Sequence, residues 1–510
     1  MSTAPLKLPN AENGQVRPVS RRQRIRATKI DSWNLHAFST GSLTRWFGEV
    51  IFFIVVAGAP FPFGSDDPSS IAFWCMLLGI SCILLALGSE RLKRLQIVIL
   101  FAIGGLAGLY AFVLHEQLAD RPWLAPYLPI WSQTASMLGI RIQYSASIVR
   151  GEPFFAIGPT IANTLALVCG LFVGSADGRA HRVLKVVGWS GLTYALYGLF
   201  GFFLEPTQIL WRDKQYYLGS LTGTFINRNT AAAYFGSSAL IWLCILIRGI
   251  RHHLGARVGS WRTVPRRLLI EPPKSAAVWF AAWFFCVAAM FLTVSRAGVA
   301  VSLFAMVIVT TIYFRKDVPK RYGIGVFAII VAGVAVLLLQ FMGGAVSNRF
   351  DLQGLADEGR LAAYASTLNI IADHPWFGTG LGTFRWAFMA YRSSTISMQG
   401  LWDIAHDTPL ELAAEGGIPL ALVVCGAWTI AFGLLMRSAR AGGRQGLVAL
   451  AALGVSLIGV LHSTIDFTLQ IPGYSIPMFG LLGSALAGCA SERKSKHSQM
   501  LAKSCESDLR

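Results

Sequence analysis

Charge is what this sequence has least of. Only 14% of its 510 residues are Asp, Glu, Lys or Arg, while 54% are hydrophobic. A soluble chain of this length could not cover so much apolar surface, so the composition excludes an ordinary soluble enzyme. Acidic residues are scarcer than basic ones, 26 against 44, which leaves a net charge of +18. Cysteine is also scarce, with eight residues, seven of them in or beside apolar runs and Cys505 in the C-terminal tail. That placement implies no disulfide framework. No Cys/His cluster has zinc spacing, His252 and His253 have no further ligand beside them, and no Ser/His/Asp set stands out. The glycine-rich stretch "HPWFGTGLGTFRWAF" (374–388) follows no strand and precedes no Gly-Lys-Ser/Thr, so it is not a phosphate-binding loop and reads as a tight, mobile one.

Long hydrophobic runs are abundant. Twelve are long enough to span hydrocarbon as helices: 47–63, 70–88, 95–114, 153–174, 183–203, 229–247, 276–294, 297–314, 322–341, 409–436, 446–466 and 474–490. The first, with Pro60 and Pro62, is the least regular. With a cytoplasmic N-terminus, 33 of the 44 Lys and Arg residues fall in inner segments and 10 in outer ones, and Arg296 lies between two runs. The basic excess is therefore a topology signal, with attraction to anionic lipid secondary, and not a nucleic-acid footprint. The expected organisation is a basic tail (1–46), nine spans (47–341), a large outer loop (342–408), three spans (409–490) and an inner tail (491–510). The twin arginines of "SRRQRIRA" (20–27) precede a signal anchor, not a cleaved export signal. Gly104 and Gly108 form a small-xxx-small pair suited to helix packing.

The polar residues gather at one level. A turn at Ser295-Arg296-Ala297-Gly298 puts Arg296 at the outer mouth, where it either snorkels to headgroups or faces a site. Asn227, Arg228 and Asn229 sit where an outer loop enters a span. Within the large outer loop, Leu361, Tyr364, Ala365, Leu368, Ile371 and Ala372 form a helical stripe with Asp357 as N-cap, so an amphipathic helix is expected there. Arg360, in its first turn, opposes the helix dipole unless it pairs with Asp357 or Glu358 or an anion binds there. His406 and Asp407 precede the tenth span. Glu411 and Glu415 share one helix face and repel modestly unless a proton or cation intervenes, or they partner arginines. His462 and Asp466 share the outer end of the eleventh span.

"TGTFINRN", "VSRAG", "GRLAAY", "HPWFGTGLGTF", "AHDTPLELAAEGGIP" and "HSTIDFTLQIP", in that order over about residues 219–475, together resemble the O-antigen ligase and polymerase family. The resemblance implies an all-α polytopic membrane protein of about twelve transmembrane helices, with a long periplasmic loop containing an amphipathic helix. It implies a glycosyltransferase of the bacterial inner membrane, both termini cytoplasmic. Such an enzyme moves a glycan from undecaprenyl pyrophosphate to a hydroxyl of lipid A core or of a growing polysaccharide. The family's proposed general base corresponds to His406, and its pyrophosphate-holding arginines to Arg296 and Arg360, with Arg228 a further candidate. Asp407, Glu411, Glu415, His462 and Asp466 are possible supporting residues. The family commonly has Asn where Asp407 stands, and a carboxylate there would raise the histidine's pKa.

Elementary chemistry fits the same scheme. A transferase working outside the cytoplasm needs a pre-activated, lipid-carried donor, and its leaving diphosphate needs fixed guanidiniums. A histidine titrating near neutrality suits proton removal from the attacking hydroxyl. No cofactor or metal is called for, and single-step displacement inverts the anomeric centre. Two readings of other classes stand beside it: a lipid-linked glycan transporter or flippase, and a non-catalytic scaffold. Transporters, however, place their sites at mid-bilayer on broken helices, whereas here the mid-span positions are apolar.

Overall fold

The computed structural model describes residues 40–89, 91–176, 178–254, 275–315, 358–396 and 402–489, with the single residues 273 and 333. Sixteen α-helices make up most of them: α1 (Thr40–Gly58), α2 (Pro68–Leu87), α3 (Arg94–Leu118), α4 (Pro129–Leu138), α5 (Glu152–Phe155), α6 (Gly158–Gly174), α7 (Arg179–Leu204), α8 (Arg228–Leu254), α9 (Ala276–Leu292), α10 (Arg296–Phe314), α11 (Glu358–Asp373), α12 (Phe384–Tyr391), α13 (Thr408–Gly416), α14 (Ile418–Ala441), α15 (Gly443–His462) and α16 (Pro472–Cys489). A two-residue hairpin pairs Gln208–Ile209 with Arg212–Asp213.

Among the described residues, eight helices are long and apolar enough to cross a membrane, against the twelve expected. Of the other four runs, 276–294 forms the 17-residue apolar helix α9. Runs 47–63 and 474–490 form α1 and α16, and 322–341 lies, save residue 333, outside the described residues. The prolines end α1 early: the chain leaves the helix at Gly58 and turns through Phe63, Gly64 and Ser65, all at positive φ. The run 409–436 is two helices. Gly417, at φ +89°, breaks it, and the long apolar part is α14 alone, so Glu411 and Glu415 belong to a separate short helix.

Helix α16 runs through the middle of the bundle, and its residues 472–478 and 480–488 are buried. A helix enclosed by other helices needs no strongly apolar surface, which is why Gly, Ser and Pro477 are tolerated in it. Small residues let α6 and α16 touch backbone to backbone. A Cβ on Gly170 would collide with the Gly480 carbonyl, and one on Gly483 with the Leu167 carbonyl. The Gly104/Gly108 pair does not do this: no described atom lies within 4 Å of a Cβ built at either. Sequence spacing shows that two glycines share a helix face, not that another helix covers it. Gly170→Leu is accordingly expected to cost about 1–3 kcal/mol by overpacking. Gly104→Leu should stay within about 0.5 kcal/mol. Melting temperatures in detergent would separate the two.

The two ends of the bundle differ. At one, Arg45 and Arg179 both bond the buried Glu49, tying α1 to α7, and Arg248 and Arg315 donate to the carbonyls of Gly443 and Arg440. At the other, loops interlock: Gly473 N–H donates to the Gly64 carbonyl (2.8 Å), Leu221 N–H to Leu292 (2.9 Å) and Ile148 N–H to Thr379 (2.9 Å). A second, smaller apolar core sits there, built from α11, α12 and α13 around Ile370, Phe384, Phe388, Ile396 and Ala414.

Candidate functional site

Helices α8 and α10 open on Arg228 and Arg296, and α11 carries Arg360 as its third residue. Each cation opposes the dipole of its own helix. Gathered at one end of the bundle, they add positive charge to free backbone amides, the chemistry of an anion site. The Arg228 guanidinium lies 5.1 Å from the Tyr217 ring centre and donates to Ser220 Oγ (3.3 Å). Arg360 Nη1 donates to the Ile465 carbonyl at 3.0 Å, and Asp357, its sequence-based partner, lies outside the described residues. Burial and then Asp466 push the Tyr217 hydroxyl up, against Arg228 and Arg360, which pull it down, so both arginines bear on one group. Arg296 is exposed and, among the described residues, makes no hydrogen bond or ion pair. Gly298, two residues on, packs against Ala232 of α8, which sets the starts of α8 and α10 side by side.

Asp466 and His462 lie just past these helix starts. Helix α15 ends at His462, so Asp466 sits in the turn beyond it and not in the span. Its Oδ2 accepts from Asn229 Nδ2 at 2.6 Å, tying the turn to the start of α8. His462 is fully buried. Its Nδ1 is 2.6 Å from Thr468 Oγ1, and its Nε2 has no partner among the described residues.

His406 stands at φ +58°, a left-handed conformation that a non-glycine residue adopts at a cost. The neighbours that impose it are identifiable. Tyr364 Oη donates to the His406 carbonyl (3.2 Å), Glu411 Oε2 accepts from Ala405 N–H (2.7 Å), and Thr408 N–H donates to the Ser463 carbonyl (2.8 Å). Its Nδ1 lies 3.0 Å from the Ile404 carbonyl. A carbonyl only accepts, so Nδ1 carries the hydrogen, and in the neutral ring Nε2 is left with its lone pair. Asp407 does not serve as a carboxylate aimed at the imidazole. It caps α13, accepting from Leu410 N–H at 2.9 Å, and burial pushes its carboxyl up.

Among the described residues, Glu411 and Glu415 partner backbone amides, not arginines. Glu411 holds the His406 loop and accepts from Gln470 Nε2 (3.1 Å). Glu415 accepts from Gly382 N–H (2.9 Å) and Phe384 N–H (2.8 Å). Gln117 adds bonds to the Phe377 carbonyl (2.7 Å) and from Leu381 N–H (2.9 Å). The glycine-rich stretch is thus clamped rather than mobile, and Gly378, Gly380 and Gly382 supply the positive φ that the path needs.

Burial, followed by Glu415, pushes Glu411 well up. Burial pushes Glu415 up to about 7 against the amides that pull it down. A carboxyl whose folded pKa exceeds its unfolded one contributes stability that is full below about 4.5. That contribution is lost as pH rises through about 7. The melting temperature is therefore expected to fall between pH 5 and pH 8, and Glu415→Gln should flatten that slope. An unchanged slope would show that Glu415 stays ionised throughout.

Two aromatic neighbours of the His406 ring each line a cleft. Phe467, 5.5 Å from it edge to face, lines a cleft of about 280 Å³ with Tyr216, Tyr217, Phe225, Asn227 and Thr230. Asp66 lines it too, and the three arginines do not line it themselves; Arg228 reaches it through the Tyr217 ring, 5.1 Å away. Trp402, 5.3 Å from the ring on another side, lines a cleft of about 210 Å³ with Arg385, Trp386, Arg392 and Asp403. Sequence reading missed Tyr217, Gln470, Phe467 and the second cleft, because polar and aromatic loop residues carry no period, and it placed Tyr364 on a helical stripe without its bond to the His406 carbonyl. The available signal was the density of Trp and Arg in "FRWAFMAYR" (384–392).

Comparison with curated proteins finds no match to the chain. Residues 280–425, which run from α9 through α13 into α14, match the family model described as O-Antigen ligase. They include Arg296, Arg360, His406 and both clamping glutamates. This chain, with its eight membrane-length apolar helices among the described residues, thus carries over residues 280–425 a segment that matches the O-antigen ligase family.

Proposed function

We propose that the protein is a glycosyltransferase of the bacterial inner membrane, working on the periplasmic side with both termini cytoplasmic. It transfers a glycan from undecaprenyl pyrophosphate to a hydroxyl of lipid A core or of a growing polysaccharide. Arg228, Arg360 and Arg296 hold the diphosphate. The acceptor hydroxyl approaches from the Trp402 side and gives its proton to His406 Nε2. Its oxygen bonds to the anomeric carbon as the carbon–oxygen bond to phosphate breaks. The bonding pair leaves on the diphosphate, whose growing charge the guanidiniums stabilise. A single displacement inverts the anomeric centre.

The observation that carries this reading is the His406 imidazole held between Phe467 and Trp402, each of which lines a separate cleft, with Nδ1 tied to a carbonyl and Nε2 as the basic atom. A transporter needs no such base. The test is purified protein in lipid nanodiscs, given a lipid-linked glycan and a lipid A core or oligosaccharide acceptor. A longer, pyrophosphate-free product is expected. Translocation of the lipid-linked glycan in liposomes, without any transfer product, would establish the transporter instead. Loss of long chains from lipid A on gene deletion would mark a ligase, and single-repeat products a polymerase.

A further inference from the structure

The second cleft has chemistry that base and donor leave unused. Its floor is aromatic: Trp402 lies 5.9 Å from Phe388, and the Arg385 guanidinium lies 3.9 Å over the Trp386 ring. An indole face, electron-rich at its centre, suits the C–H face of a sugar ring. The volume of about 210 Å³ is about seven waters' worth of liquid, room for a single sugar unit.

Its charge is the telling part. Two guanidiniums line the cleft against one carboxylate, Asp403. Arg392 Nε and Nη2 are buried and, among the described residues, have no hydrogen-bond partner. Buried N–H groups of a cation are costly to leave unpaired, and an occupant that accepts from both removes the cost. The planar fork of Nε–H and Nη2–H matches the two oxygens of a carboxylate or phosphate. A neutral sugar offers hydroxyls, which satisfy a fork less well.

We infer that this cleft is the acceptor subsite and that it takes an acidic saccharide, its carboxylate or phosphate held by Arg392 and Arg385 and its ring lying against Trp402. The inference rests on the transferase reading only for the word acceptor; the preference for an anionic sugar stands on the cleft itself. Trp402 also lies 5.3 Å from the His406 ring, so an occupant seated against Trp402 is separated from that imidazole by one side chain.

The test is calorimetric titration of the full-length protein in detergent with three probes: tetragalacturonate, maltotetraose and inorganic pyrophosphate. Tetragalacturonate is expected to bind at least about tenfold more tightly than maltotetraose, the worth of one charge-assisted bidentate contact. Arg392→Ala should erase that difference, Arg392→Lys should restore only part of it, and Arg385→Ala, at an exposed position, should reduce it. None of these should change pyrophosphate binding. Equal affinity for the two oligosaccharides, or no binding of either, overturns the inference. So does a loss of pyrophosphate binding in Arg392→Ala, which would assign the cleft to the donor. A protein that prefers tetragalacturonate through Arg392 yet transfers no lipid-linked glycan would overturn the transferase reading and leave this one standing.

Discussion

His406→Asn protein is expected to lose about 10²–10⁴-fold of its transfer rate, the usual contribution of a positioned general base, while binding the donor as tightly as wild type. Asparagine is the informative replacement because it tolerates the left-handed conformation that His406 occupies, φ +58°. Alanine removes the ring as well but adds the strain of a side chain that seldom adopts that conformation. Both variants should therefore be inactive, and His406→Ala should also be less stable. Tyr364→Phe is the control for the scaffold. It removes the bond to the His406 carbonyl without touching the ring, and should lower the rate far less. Single-turnover kinetics with preloaded donor would separate the chemical step from binding. Full transfer by His406→Asn would remove this residue as the base and direct attention to His462.

The second large effect is expected at the arginines. Arg360→Ala should weaken donor binding by about tenfold to a hundredfold, the range for losing charge-assisted bonds to a phosphate. Acceptor binding should change little. Arg360→Lys and Arg228→Lys should recover little, because a point charge does not reproduce the planar fork. Since both guanidiniums act on the Tyr217 hydroxyl, their losses should not add, and the double variant should fall short of the product of the singles. Arg296→Lys tests whether the exposed arginine beside them joins the same anion. A drop in transfer comparable to that of Arg360→Lys would include it, whereas wild-type transfer would leave it to the lipid headgroups.

Much of the architecture was legible because hydropathy reports length directly. The runs 70–88, 95–114 and 446–466 match α2, α3 and α15 to within a few residues. The ordered motifs also carried the family, since arginine at a helix start, glycine at a turn and histidine before a span are local features. What was not legible depends on neighbours. Leu361 and Leu368 were placed on the apolar stripe of α11, and they are 55% and 54% exposed. The inward face is Ala363, Ser366, Thr367, Ile370 and Ile371, because Thr367 returns its hydroxyl to the Ala363 carbonyl (2.7 Å) and can be buried. Likewise, Glu411 and Glu415 looked like a repelling pair at a membrane edge. Only the fold shows that each receives the amides of a different loop, one at His406 and one at Gly382 and Phe384.

The most direct measurement is a cryo-electron microscopy map of the protein in nanodiscs with undecaprenyl pyrophosphate bound. Diphosphate density within hydrogen-bond distance of Arg228 and Arg360, in the cleft bounded by Tyr217 and Phe467 and next to the His406 ring, is the expected result. Density at the opposite end of the bundle, near Arg45, Glu49 and Arg179, or a diphosphate that leaves both Arg228 and Arg360 untouched, would contradict it.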